Sequence, residues 1–283
     1  MMTVALATFR EAIRKKVILI IGCLTVLYII LFSLVIHFAM EDMRKNFADS
    51  AEIIRNTTGI ISILGFYFSS MITAFVTIMA SVGTVSSEIE SGVIHSVITK
   101  PIRRMDYVLG KYIGIAIMVV GYSSILYLFL MIQQFAFDIP PLNHIQPDIF
   151  LHGLALFCYE PLVLLSLCLL GSVMLKTLNN GIVTIGIYIL GMIGGMMEQI
   201  GSALELDGLM KWGIFLSLLS PFDSIYRRMI SVLYSSIDMI GSYFAGPFFM
   251  SKTIPSIWMM LYTVIYCLGL ILLAIRKFNR RDI

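Results

Sequence analysis

Six apolar runs constrain this chain more than any other feature of its sequence. A helix needs about 20 apolar residues to cross a lipid bilayer, and the runs are continuous rather than alternating, which favours helices over barrel strands. The sequence therefore predicts an all-α integral membrane protein with six transmembrane helices. The predicted crossings are Val17–Ala39, Gly59–Val82, Tyr107–Ile132, Phe150–Leu175, Asn180–Ile200 and Ser256–Ile275.

Composition narrows the class of protein further. The 283 residues are 59% hydrophobic and 13% charged, whereas a soluble domain carries about twice that share of charged residues. The net charge is only +3 and no long basic tract is present, which argues against nucleic acid as a partner. The four cysteines lie inside apolar runs without a C-x-x-C pair, so neither a disulfide framework nor a metal site is expected.

Basic residues beside the apolar runs predict the orientation. Thirteen of the twenty Lys and Arg residues fall on the side that holds both termini and the second-to-third connection. By the positive-inside rule, both termini are expected in the cytoplasm, with the chain in the cell (cytoplasmic) membrane. The N-terminal apolar run is too long for a cleaved signal peptide and is predicted to stay as a spanning helix.

The chain is expected to form a single transmembrane domain over residues 1–283, with two accessory regions outside the crossings. Residues 2–16 place Met2, Leu6, Phe9 and Ile13 on one helical face, which predicts a helix lying along the inner leaflet. Residues 201–255 contain apolar stretches too short to cross easily. We expect them to form short external helices between the fifth and sixth spans.

A charged interruption, residues 86–104, separates the second and third crossings on the predicted cytoplasmic side. Read as a helix, residues 88–99 are apolar over about half of the circumference and polar over the rest, except that Glu90 falls within the apolar arc. Pro101 is expected to end this helix. A helix this short needs a surface to pack on, and the two candidates are the inner leaflet and a groove in a cytoplasmic protein, with the mixed charges favouring the protein.

Several short stretches, spread in order over nearly the whole chain, form one pattern with the interruption. They are Phe9–Lys16, Ser87–Gly92, Thr99–Arg104, Leu109–Gly114, Ser220–Asp223 and Lys277–Ile283. In this order and spacing they resemble type-2 ABC transporter permeases, and they point to the branch that includes the permease of nitrous oxide reductase maturation.

The resemblance implies a dimer, with a second copy or a paralogue, in which each permease unit docks a cytoplasmic ATPase through a coupling helix. The residues it assigns to ATPase coupling are Glu88, Glu90, Gly92, His95, Lys100, Pro101, Arg103 and Arg104. The chain has no Walker A motif, because Gly110-Lys111 lacks the first Gly and the following Ser or Thr. The chain is therefore not expected to be an enzyme or to hold a cofactor, and ATP and Mg²⁺ would be bound by the partner ATPase.

Ionisable residues within the predicted crossings are candidate transport sites. Glu160 lies about ten residues into the fourth run, where it would line a translocation path, pair with an Arg from an external helix, or reach headgroups at the outer end. Glu198 ends the fifth run and is expected to contact water. The scattered residues His37, His144 and His152 do not predict a metal site.

Three functions follow from these observations, and the substrate is not readable from any of them. The leading one is the permease subunit of an ABC exporter. The second keeps the fold but transmits force to an extracytoplasmic partner docked on residues 201–255. The third, an ion-driven secondary transporter or channel, is supported only by Glu160, since that class usually carries internal repeats or several buried ionisable groups.

Overall fold

The computed structural model describes residues 1–14, 16–46, 51–94, 103–137, 146–234 and 254–281. Within these ranges the chain is helical and contains no strand. The helices are α1 Met2–Arg14, α2 Lys16–Asn46, α3 Ala51–Ser81, α4 Ser86–Glu90, α5 Arg104–Ala136, α6 Pro147–Met174, α7 Thr177–Ala203, α8 Asp207–Leu219, α9 Phe222–Leu233 and α10 Ile257–Asn279.

The prediction of six crossings is confirmed. Six of the described helical stretches are long and apolar enough to span a membrane, and each overlaps one predicted crossing. Their described bounds are Ile21–Met43, Thr57–Glu90, Arg104–Ala136, Pro147–Met174, Thr177–Ala203 and Ile257–Asn279. The apolar side chains that remain exposed on these helices are expected to face lipid or another copy of the chain, since lipid tails are as apolar as they are.

The bundle has two ends. The end that holds α4 also holds α1, the start of α5, the junction between α6 and α7, and the end of α10; we call it the α4 end. Its core is formed by Val85, Tyr107, Val108 and Phe278. The opposite half of the bundle is filled by larger aromatic and aliphatic side chains, including Phe66, Tyr127 and Phe157, which touch one another.

Helix α1 packs along the first turns of α5 through small side chains. Ala5, Thr8 and Ala12 are buried, and a Cβ added at Gly114 of α5 would lie 2.5 Å from the Ala5 carbonyl oxygen. Met2, Leu6 and Ile13 are exposed on the other side of α1. This free apolar stripe suits a helix that lies in the membrane interface, which remains a prediction.

Helices α7 and α8 form a tight antiparallel hairpin, so α8 runs back along the helix that precedes it. The close approach depends on glycine: a Cβ added at Gly213 would lie 2.5 Å from the Glu198 backbone nitrogen, and one at Gly194 would lie 2.6 Å from the Leu216 Cβ. Helix α7 also carries a G-x-x-x-G pattern at Gly191 and Gly195, and both glycines pack closely, Gly191 against Ser220 and Gly195 against Asp223.

Candidate coupling site

The predicted coupling segment, residues 86–104, begins with a short helix rather than one helix over 88–99. Helix α4 ends at Glu90, and Gly92 adopts a left-handed backbone conformation with φ of 74°. A glycine just after the last helical turn takes this conformation without steric cost and ends the helix. The predicted continuous helix over 88–99 is therefore wrong at Ser91 and Gly92, where it is interrupted, and helical geometry resumes at Val93 and Ile94. Residues 95–102, which include His95, Lys100 and Pro101, lie outside the described residues.

The apolar side of this segment packs on the bundle itself. Val85 and Ile94 are buried against Tyr107, Val108 and Phe278. The sequence had offered the inner leaflet and a partner protein as the surfaces for this side, and the described residues instead use the chain's own helices. Val93, in the described part of this segment, is 50% exposed.

Glu88 is held by two side chains of α5. Its carboxylate accepts a hydrogen bond from the Tyr107 hydroxyl and forms an ion pair with the Lys111 ammonium. Lys111 is only 4% exposed, and its ammonium also lies 3.5 Å from the Glu11 carboxylate of α1. A single buried cation therefore joins the coupling segment to α1 and α5.

The Glu90 side chain caps the first turn of α7. Its carboxylate accepts the Thr177 backbone N–H at 2.7 Å, and the Ser86 and Thr177 hydroxyls lie 2.8 Å apart. The first N–H groups of a helix have no partner inside the helix, so a carboxylate placed there also benefits from the helix dipole. This contact explains why an acid stands within the apolar arc of the segment.

Arg104 joins the end of the segment to the end of α10. Its guanidinium donates to the backbone carbonyls of Arg281 at 2.9 Å and Asn279 at 3.2 Å. Such carbonyls, at the end of a helix, are without intrahelical partners and carry partial negative charge. Arg103, the neighbouring predicted coupling residue, is exposed.

Glu160 is buried in the middle of the bundle, away from the coupling segment. Its two carboxylate oxygens lie 2.7 and 2.8 Å from the Ser70 hydroxyl of α3. The expectation that it meets headgroups at the outer end is wrong for this structure, since the residue is 6% exposed. A role in a translocation path stays a prediction.

A second ion cluster lies between α7 and α9, in the half of the bundle opposite α4. The Arg227 guanidinium lies 2.7 Å from the Glu198 carboxylate and 2.8 Å from that of Asp223. Burial raises the pKa of Asp223 to about 6, and the nearby Arg227 guanidinium limits this increase. Glu198, which was expected to contact water, keeps 16% of its side chain exposed while it pairs with Arg227, because α8 and α9 fold back beside the end of α7.

Sequence reasoning missed the partners of the coupling residues. Lys111 was counted among the bases that set orientation, and Tyr107 and Thr177 received no role. The available signal was the spacing of Tyr107 and Lys111, which are four residues apart and so share one face of α5. Nothing in the sequence indicates Ser70 as the partner of Glu160, because two residues 90 positions apart share no local spacing pattern.

The chain was compared with known protein families and with curated proteins. A family model described as ABC-2 family transporter protein matches residues 2–283. No curated protein matches the chain. The family match covers the coupling segment, all six crossings and the α8–α9 region.

Proposed function

The chain belongs to the ABC-2 transporter family and is a multi-pass membrane permease subunit; we propose that it exports its substrate with energy from ATP hydrolysed by a separate cytoplasmic ATPase. The ATPase docks on residues 86–104. Two permease units, identical or paralogous, form the membrane part of the transporter. ATP binding closes the two ATPase subunits together, and the coupling segments carry that movement into the bundles.

The contact between Glu90 and the first N–H of α7 supports this proposal most. Together with the Glu88–Lys111 pair, it means that a displacement of α4 pulls on α5 and α7 through charged hydrogen bonds rather than through a loose loop. Because packed helices move as rigid bodies, the pull acts on whole helices. Glu160, placed deep in the same bundle, is our candidate for a residue of the translocation path.

The proposal places the α4 end in the cytoplasm and the chain in the cell membrane. The basis is the distribution of Lys and Arg, thirteen of twenty of which lie on that side in the predicted topology. On this assignment, the α8–α9 region lies toward the outer face and the terminal segments face the cytoplasm.

Removing the Glu90 contact tests the coupling role. We expect Glu90→Ala to leave assembly with the co-expressed ATPase intact but to lower permease-stimulated ATP hydrolysis about fivefold, as for the loss of one helix-capping interaction. Glu90→Gln keeps an acceptor oxygen for the Thr177 N–H and should stay close to wild type. Ser91→Ala is the control for a neighbouring exposed change. The measurement is ATPase activity in proteoliposomes.

The two Glu90 variants also separate this mechanism from a direct contact with the ATPase. If Glu90→Gln lowers hydrolysis as much as Glu90→Ala does, the negative charge itself is needed and the link to α7 is not the relevant one. Wild-type hydrolysis in Glu90→Ala would exclude the proposed coupling route.

A second candidate function is force transmission to an extracytoplasmic partner, and the course of α7 favours it. This 27-residue helix, about 40 Å long, contacts Glu90 at one end and Arg227 of α9 near the other. Movement of α4 would therefore reach the α8–α9 region. The resemblance of Ser220–Asp223 and Lys277–Ile283 to the nitrous oxide reductase maturation branch fits this candidate. ATPase coupling without any transported substrate would favour it over export.

A further inference from the structure

A cavity of about 560 Å³ opens at the α4 end of the bundle, between the end of α6 and the last turns of α10. Its lining divides by chemistry. Three apolar side chains form one part and four basic side chains form the other. The apolar residues are Val173, Met174 and Leu273, and the basic residues are Arg276, Lys277, Arg280 and Arg281.

The bases of the lining lie at the end of α10 and just beyond it. Arg276 and Lys277 stand in the last turns of the helix, with Leu273 one turn before Lys277, and Arg280 and Arg281 follow its last residue, Asn279. Arg281 is held through both its side chain and its backbone, because its guanidinium donates to the Val173 carbonyl and its own carbonyl accepts from the Arg104 guanidinium. The rim of the cavity is therefore held against α6.

The other three bases lack a described acidic partner. Arg276, Lys277 and Arg280 are exposed, and none of them forms an ion pair with a carboxylate among the residues that the structure describes. The dipole of α10 stabilises cations at its last turn. That effect accounts for basic residues at the end of the helix but not for a cavity with an apolar floor beneath them.

The apolar part and the basic part follow one another along α10. Leu273 precedes Lys277 by one helical turn, about 6 Å along the axis, and Arg280 and Arg281 lie beyond the end of the helix. In a bilayer crossed by α10, the basic part would lie at headgroup level and the apolar part at the start of the acyl chains. A ligand that fits carries a negatively charged group beside the basic part of the lining and a hydrocarbon chain beside the apolar part.

We propose that this cavity binds an anionic phospholipid. The phosphate lies against Arg276, Lys277 and Arg280, and the upper acyl chain lies against Leu273 and Met174. Guanidinium groups bind phosphate oxygens in pairs, and basic pockets between transmembrane helices recognise acidic headgroups. A carboxylate from a partner protein would satisfy the cations but would leave the apolar floor without a complement. The bound lipid would brace α6 against α10 beside the coupling site.

The test uses the purified chain in neutral detergent, with phosphatidylglycerol, phosphatidylcholine or soluble glycerol phosphate added. Native mass spectrometry counts bound lipid, and the unfolding temperature reports stabilisation. We expect phosphatidylglycerol to bind and to raise the unfolding temperature, and we expect the other two additives to do neither. Arg276→Gln/Arg280→Gln should bind phosphatidylglycerol about thirtyfold more weakly.

A matched double variant controls for general electrostatics. Arg10→Gln/Lys176→Gln removes the same charge from exposed positions at the α4 end outside the cavity, and it should bind within about twofold of wild type. Should the cavity variant fold poorly without lipid, Arg280→Gln alone replaces it. Equal loss in the control pair, equal binding of phosphatidylcholine, or equal stabilisation by glycerol phosphate would each overturn the proposal.

Discussion

Replacing Lys111 with Met lowers the free energy of unfolding by about 3–5 kcal/mol, as expected when one partner of a buried ion pair is removed. Lys111 is 4% exposed and neutralises Glu88, which keeps only the Tyr107 hydroxyl once the ammonium is gone. The variant should also lose most permease-stimulated ATP hydrolysis, because α4 is then no longer held to α5. Chemical denaturation in detergent and ATPase assays in proteoliposomes measure the two effects.

An exposed pair in the same chain gives the control. Lys45 and Glu41 lie 2.6 Å apart, with side chains 69% and 48% exposed, so Lys45→Met should change the free energy of unfolding by less than about 1 kcal/mol. The double variant Lys111→Met/Glu88→Gln should recover much of the lost stability, since no unpaired charge remains. A loss in the double variant as large as the sum of the single losses would mean that Lys111 and Glu88 act independently.

Replacing Arg227 with Met should destabilise the α8–α9 region by a similar amount, about 3–5 kcal/mol. Arg227 is 2% exposed and faces the carboxylates of Asp223 and Glu198, whose side chains are 8% and 16% exposed and would be left without a cation. Limited proteolysis of residues 204–234 and thermal unfolding measure the change. Arg228→Met is the matched control, because Arg228 is less buried and its described contact is a carbonyl at 3.5 Å.

The pH dependence of the Arg227 variant gives an independent check. The pKa of Asp223 in the folded chain, about 6, lies above its ordinary value, so protonation favours the folded state. As the pH falls through about 6, Asp223 becomes neutral, and loss of the Arg227 guanidinium then costs less stability. The difference in stability between wild type and Arg227→Met should therefore be smaller at acidic pH than at pH 8. A difference that grows on acidification would assign the defect to another contact.

The crossings could be predicted from the sequence because hydrophobic thickness sets helix length locally. The stop at Gly92 could also have been foreseen, since glycine commonly ends helices, but the amphipathic pattern of residues 88–99 outweighed it. The partners of Glu90 and Glu198 could not be foreseen. They depend on which helices are neighbours, and the Glu90–Thr177 contact joins residues 87 positions apart.

The α8–α9 region illustrates the same limit. The apolar stretches of this region are too short to cross easily, so short helices were expected. The packing of α8 back along α7 was not expected, because it depends on the close contact between Gly194 and Gly213. A G-x-x-x-G pattern indicates that a helix is closely packed and does not identify its neighbour. The partial burial of Glu198 and Asp223 follows from that neighbour and not from either residue's own surroundings in the sequence.

Labelling of the coupling segment by an impermeant thiol reagent tests the central claim most directly. The four natural cysteines are replaced with Ala and Val93 with Cys, and labelling is compared in right-side-out and inside-out membrane vesicles. The account predicts labelling only in inside-out vesicles, with protection when the purified ATPase subunit is added. Labelling only in right-side-out vesicles would contradict the proposed topology, and unchanged labelling in the presence of the bound ATPase would contradict docking at this segment.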